Sequence, residues 1–175
     1  MWNAALIVLG FGWVLERLLK IFWVPGYFRI GIPLFCGKVA YPREAWGELD
    51  CALLAEEVRS CLFGAIAFHR LGPGEFACRE SGLRVLLVLA PLMRGVIRVR
   101  AEPAVVEVRG YLNAFPLCWV LLLGAFLAVE WPFLAPAVLL PHFLGLFVSY
   151  ATEVGRFRKL LNGAREQLVE AELSG

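Results

Sequence analysis

Residues 114 to 151 form an almost uninterrupted apolar block of 38 residues, broken only by Glu130, His142 and a few prolines. One bilayer span needs roughly 20 apolar residues, so this block approaches what two spans need. Its one acid, Glu130, lies near the middle and is followed by Trp131 and Pro132. The pattern predicts a transmembrane hairpin, with helices over 113–130 and 132–151 and a tip at Glu130-Trp131. The chain is therefore expected to be an integral membrane protein.

A third span is expected at the N-terminus, over residues 1–25. Trp2 to Leu15 is apolar, and a helical pattern continues through Leu18, Leu19, Ile21, Phe22, Trp23 and Val24 to Pro25-Gly26. Glu16 and Lys20 stand four apart, close enough to pair along the helix. The long basic side chains can reach the interface while the helix stays inserted. No basic residue precedes the apolar run, so an uncleaved anchor is expected rather than a signal peptide. Lysines and arginines set orientation. Thirteen lie between Arg17 and Arg109, four more follow Ala151, and the hairpin tip has none. Three spans then leave the N-terminus outside and the C-terminus inside, with residues 26–112 forming a cytoplasmic domain. The setting this implies is a bacterial inner membrane, crossed several times.

Composition narrows the function classes. Hydrophobic residues make up 60% of the chain, against about 45–50% in ordinary soluble domains. Seventeen basic and 15 acidic residues give a net charge of +2. That is too even for a nucleic-acid partner. The phosphate-binding loop, dinucleotide, zinc-protease and nucleophile-elbow strings are all missing from the sequence, and no catalytic activity is expected. Five cysteines, an odd number with no CxxC pair, read as small buried hydrophobes rather than a disulfide framework or zinc site.

The cytoplasmic domain reads as α+β, with about five or six short strands and one helix. Tyr27 to Phe35 is strand-like, and Glu48 to Leu62 repeats apolar residues at helical spacing. Strands are expected at Ala65–Leu71 and Glu75–Arg79 around Gly72-Pro73-Gly74, then at Arg84–Leu89. The clearest hairpin joins Val96–Arg100 to Val105–Arg109. It places Ile97, Val99, Val106 and Val108 on one face, and Arg98, Arg100, Glu107 and Arg109 on the other. This order of elements beside a membrane hairpin is similar in outline to bacterial pleckstrin-like domains, a likeness of element order rather than of any motif.

Residues 153–173 form an amphipathic helix with a stripe of Val154, Phe157, Leu161, Ala164, Leu168 and Ala171. The stripe can seat against the cytoplasmic domain, a partner helix or the inner leaflet. Its acidic end, with Glu166, Glu170 and Glu172, favours protein over anionic lipid.

Few residues could carry chemistry. His142 falls within the third expected span, where an ionisable group marks a candidate site. It could contact a haem or chlorin, or satisfy a carbonyl freed by the nearby prolines; no cofactor is otherwise expected. His69 and Cys78 could meet as a base and nucleophile across the Gly72–Gly74 turn. Arg79, Arg84, Arg94, Arg98, Arg100 and Arg109 could form a lipid-facing patch or a salt-bridged face. Arg98, Arg100, Arg109, Phe157, Leu161 and Leu168 are the expected interaction residues.

These features favour a non-catalytic accessory or scaffold subunit of a larger inner-membrane complex, whose partners are the bilayer and other membrane subunits. The first alternative is a membrane-anchored lipid- or protein-binding module with a pleckstrin-like sheet. The second is a cofactor-contacting subunit of an energy-transducing complex, acting through His142.

Overall fold

The computed structural model describes residues 2–40, 49–58, 66–80 and 93–173. Its centre is an antiparallel sheet of β1 (Pro33–Ala40), β2 (Ile66–Gly72), β3 (Glu75–Glu80), β4 (Met93–Arg100) and β5 (Val105–Leu112), ordered β1-β5-β4-β3-β2. The helices are α1 (Trp2–Ile21), α2 (Pro25–Arg29), α3 (Cys51–Glu57), α4 (Ala114–Glu130) and α5 (Ala135–Leu173).

Local chemistry explains most of the strand ends. The β2–β3 turn carries Pro73 and then Gly74 at φ +65°, the residue order of a type II turn. Gly74 also brings its carbonyl within 2.7 Å of the Val99 amide, which donates to it. A Cβ there would collide with the Val99 carbonyl. In the hairpin of β4 and β5, Ile97 pairs with Val108, Arg98 with Glu107 and Val99 with Val106. The period-two alternation therefore sends the aliphatic residues to one face and the charged residues to the other.

The aliphatic face is the core. Cys78, Ile97, Val106 and Val108 pack against Phe157, Leu160, Leu161, Ala164 and Leu168 of α5, with Leu54 and Val58 from the α3 region closing one side. Each fully buried large aliphatic or aromatic side chain contributes on the order of 1.5–3 kcal/mol, so this layer dominates stability. Asp50 caps α3, its carboxylate accepting from the Ala52 and Leu53 amides at 2.8 and 3.1 Å, as N-cap residues do. The Asp50 backbone amide donates to Gln167 Oε1 at 3.0 Å, tying α3 to α5.

Three corrections to the sequence reading follow. First, three transmembrane helices are not found. Among the described residues one helix, α5, is long and apolar enough to cross a membrane. Only 17% of its apolar stretch is buried within the molecule, unlike the core helix of a soluble protein. The helix α4 has 17 residues and extends about 25 Å at 1.5 Å per residue, against a hydrocarbon core of about 30 Å. In α1 the last two turns carry Glu16, Arg17 and Lys20, with Lys20 buried and 3.0 Å from Glu16. The three-pass arrangement with the N-terminus outside therefore falls.

Second, the expected separation of a last span from a C-terminal amphipathic helix is replaced by one continuous helix of 39 residues, about 58 Å long. Pro141 is accommodated inside it. Third, Tyr27–Phe35 is not one strand. Pro25 opens the short helix α2, where its fixed φ and missing N–H are tolerated, and extended pairing begins only at Pro33. The expected helix over Glu48–Leu62 appears as α3, with 48 and 59–62 outside the described residues; the expected strand Arg84–Leu89 lies wholly outside them.

Candidate functional site

The face of the sheet opposite α5 carries Lys38, His69, Glu75, Arg79, Arg94, Arg98, Arg100, Glu107 and Arg109, fixed there by register. These residues divide into two groups. At the open end, Glu107 is almost fully buried within a ring of cations. Arg109 Nη2 lies 2.6 Å from Oε1, Arg100 Nη2 3.5 Å from Oε2, and Lys38 Nζ 3.7 Å from Oε1. Lys38 and Arg100 keep 61% and 52% of their side-chain surface exposed, so the ring presents positive charge to solvent around a neutralised centre. Burial alone would raise the Glu107 carboxyl. The hydrogen bond and charge of Arg109, with Lys38 and Arg100, outweigh it and hold the group below the usual carboxylate range.

At the closed end, the turn between α1 and α2 lies over the sheet. Phe28 packs on Ala77, Val96 and Tyr111, with Trp23 and Tyr27 beside it. Trp23 stacks on Phe28 and on His69 at centroid distances of 5.3 and 5.1 Å, and the Arg79 guanidinium sits 4.5 Å from the indole centroid. Arg94 fastens this turn. It donates to the carbonyls of Tyr27, Ile30 and Leu112 at 2.6, 2.7 and 3.4 Å, and lies 3.8 Å from the centroid of the Tyr27 ring. The Tyr27 hydroxyl donates to Glu16 at 2.7 Å. Burial, with the charge of Glu16, pushes that phenol up. Arg29 bonds Glu75 in a two-pronged contact, which Arg98 Nε joins at 2.8 Å. The Arg29 contact, followed by Arg98, holds the Glu75 carboxyl below its ordinary range.

The expected interaction residues therefore separate. Arg98, Arg100 and Arg109 share one face and are already paired with Glu75 or Glu107. Phe157, Leu161 and Leu168 are buried on the other face, inside the core of the same chain. They are spent on the chain's own sheet, because the continuous α5 brings the stripe directly onto it. His142 sits in the apolar half of α5, and its Nδ1–H donates to the Val138 carbonyl at 2.7 Å, one turn back on the same helix. His69 and Cys78 do not meet as base and nucleophile. They are adjacent in register but on opposite faces, and burial, with Glu153 nearby, pushes the Cys78 thiol up, away from thiolate reactivity. The cysteines are not uniformly buried either: Cys36 and Cys118 are exposed and Cys51 is intermediate.

The parts that sequence reasoning missed are Trp23, Tyr27, Arg29, Glu75 and the clamp of Arg94. The order Trp-Val-Pro-Gly-Tyr reads equally as the polar border of a span, and nothing in it signals that Trp23 adopts φ +50°. Among the described residues, no cluster of three or more His, Cys, Asp or Glu could hold a metal ion. Comparison with protein-family models, with characterised proteins and with solved structures finds no match.

Proposed function

We propose that the chain is a non-catalytic accessory or scaffold subunit of a membrane-protein assembly, anchored through the apolar half of α5 and holding its sheet at the membrane surface. The observation that carries this reading is the continuity of α5. Its first half leaves Leu140, Leu144 and Phe147 exposed, while Phe157, Leu160 and Leu168 of the same helix are buried in the sheet's core. Whatever covers the apolar half is thus coupled to the sheet through one continuous helix. Apolar surface on α1, where Ile7, Val8 and Phe11 are each about 70% exposed, offers a second area for lipid or partner helices. The setting proposed is a bacterial inner membrane with the sheet on the cytoplasmic side. Mild-detergent extraction followed by native mass measurement tests the reading. Stoichiometric co-purifying membrane subunits are expected; a monodisperse monomer running alone overturns it.

The ring around Glu107 favours a second reading, a lipid- or protein-binding module. Three cations around one carboxylate leave local positive charge on an open face, the kind of surface that attracts anionic headgroups. Preferential co-sedimentation of the detergent-reconstituted chain with anionic liposomes, abolished by Lys38→Glu with Arg100→Glu, distinguishes it from the scaffold reading.

A further inference from the structure

Where α5 passes from its apolar half to the sheet, a cleft of about 610 Å³ opens between it, the start of β1, the end of β5 and the first turns of α4. That volume lies within the roughly 300–1,000 Å³ typical of small-molecule sites. Leu34, Leu112, Leu117, Phe147 and Val154 make its walls apolar, and Arg158 stands at its far end. From Phe147 to Arg158 the cleft follows α5 for about 16 Å at 1.5 Å per residue. Its apolar end points along the half of α5 that is apolar and exposed; its charged end lies level with the sheet.

One polar feature of this cleft lacks a partner: Arg158 is exposed and meets no acid among the described residues. An apolar channel ending in an unpaired guanidinium has the polarity of an amphiphile laid in one direction.

We propose that this cleft holds an anionic phospholipid, with one acyl chain along Phe147, Leu117 and Val154 and the phosphate on Arg158. Guanidinium–phosphate contacts are among the stronger charge-assisted bonds. The proposal rests on the membrane-anchored reading, since the chain would enter from the leaflet beside α5. It goes beyond that reading by giving the sheet–helix junction a ligand of its own.

The test uses the full chain in neutral detergent, titrated with phosphatidylglycerol or phosphatidylcholine and observed by native mass spectrometry. The wild type is expected to bind one phosphatidylglycerol in preference to phosphatidylcholine. Arg158→Glu should lose roughly tenfold in affinity for the anionic lipid, the size expected when a charge-assisted contact is removed, with phosphatidylcholine unaffected. Gly155→Leu fills the cleft, because a Cβ at Gly155 meets nothing within 4 Å; it should lose both lipids while melting like the wild type. Arg158 is a surface position, so its arm holds even where Gly155→Leu folds poorly. Phosphatidylglycerol binding equal in wild type and Arg158→Glu overturns the proposal. So does a wild-type dimer that Gly155→Leu dissolves, since a second protein copy would then be the occupant. Carbonate extraction of the wild type from membranes separates the two levels. A chain that washes off refutes the anchored reading and this proposal with it, whereas an anchored chain indifferent to headgroup charge refutes only the cleft.

Discussion

Phe157 occupies the space that Gly95 leaves open in the sheet: a Cβ on Gly95 would run into the Phe157 ring and lie 2.8 Å from the Cys78 sulfur. Leu161 uses Gly37 in the same way, and a Cβ there would be 2.5 Å from Leu161 Cδ2. Two glycines on the same face, in β4 and β1 with β5 between them, thus let α5 lie close to both strands. Gly95→Ala is expected to destabilise the fold by about 1–3 kcal/mol, the usual cost of overpacking a filled core. Chemical denaturation measures it. Adding Phe157→Leu should recover part of the loss, because neighbouring substitutions that share one space are not additive. Losses that simply add would show that the two residues do not compete for that space.

Stability should fall in acid through Glu107 and Glu75. Both carboxyls are held below their ordinary range, the first by Arg109, Lys38 and Arg100 against the opposing effect of burial, the second by Arg29 and Arg98. A depressed carboxyl contributes stability that is complete above the unfolded value of about 4.3 and is lost as pH falls through the lower folded value. Glu153 has the opposite sign. Burial raises its carboxyl, with Glu80 adding to the rise and Arg156 opposing it, so its contribution favours the lower pH. Glu107→Gln is therefore expected to flatten the acid limb of the stability–pH curve below about pH 4.5. An unchanged limb in a denaturation series from pH 3 to 7 (roughly the range that brackets carboxyl titration) would assign the acid sensitivity elsewhere.

His142 is expected to be structural. Its Nδ1–H is engaged by the Val138 carbonyl, one turn back on the same helix. His142→Ala should leave the visible absorption spectrum and the native mass of the purified chain unchanged. A coloured preparation that bleaches with this substitution would restore a haem- or chlorin-contacting role.

Trp23 has a positive φ of 50°, an uncommon conformation for a residue with a side chain. Its ring is held by Phe28, His69 and Arg79, so packing offsets the backbone cost. Removing the ring should destabilise the closed end of the sheet by about 2 kcal/mol, below the 3–5 typical of fully buried large aromatics. Trp23→Gly should be milder than Trp23→Ala by about 1 kcal/mol, since only glycine adopts this conformation without strain. The reverse order in urea titrations would mean the turn relaxes to a different conformation.

Much of the sheet was legible in the chain because strand alternation is a local code. The Gly-Pro-Gly turn, the hairpin around Glu102-Pro103 and the split of Ile97, Val99, Val106 and Val108 from Arg98 and Glu107 all follow from residues within a few positions of one another. The membrane count was not legible by the same means. Apolar length in α4 and α1 resembles a span, and what sets them apart is the 17-residue length of α4 and the inward pairing of Glu16 with Lys20 and Tyr27. Those are tertiary facts. The continuity of α5 was hidden for a similar reason: a change from uniform to striped apolarity at Ala151–Glu153 looks like a boundary, yet no glycine–proline break accompanies it. Arg94 and Glu75 gave no signal of these roles, because their partners lie 18 or more residues away.

The unbroken rod of α5 makes the sharpest structural prediction. Thr152 lies between the two halves, its hydroxyl donating to the Val148 carbonyl at 2.8 Å. Thr152→Pro removes one backbone donor and drives the ring against that same carbonyl, a cost of about 3 kcal/mol or more for the helix. The core around Phe157 and Leu161 does not depend on this position, so the sheet should still form. Spin labels at Leu144 and Arg165, 21 positions apart on α5 and thus about 32 Å apart along a straight helix, report the coupling directly. A single narrow distance distribution is expected for the wild type and for Thr152→Ala, which loses the hydroxyl and one methyl but keeps the backbone donor. A broad or bimodal one is expected for Thr152→Pro. A narrow distribution in the proline variant would show that contacts outside α5 fix the sheet against the apolar half, and the rigid-rod basis of the scaffold reading would fail.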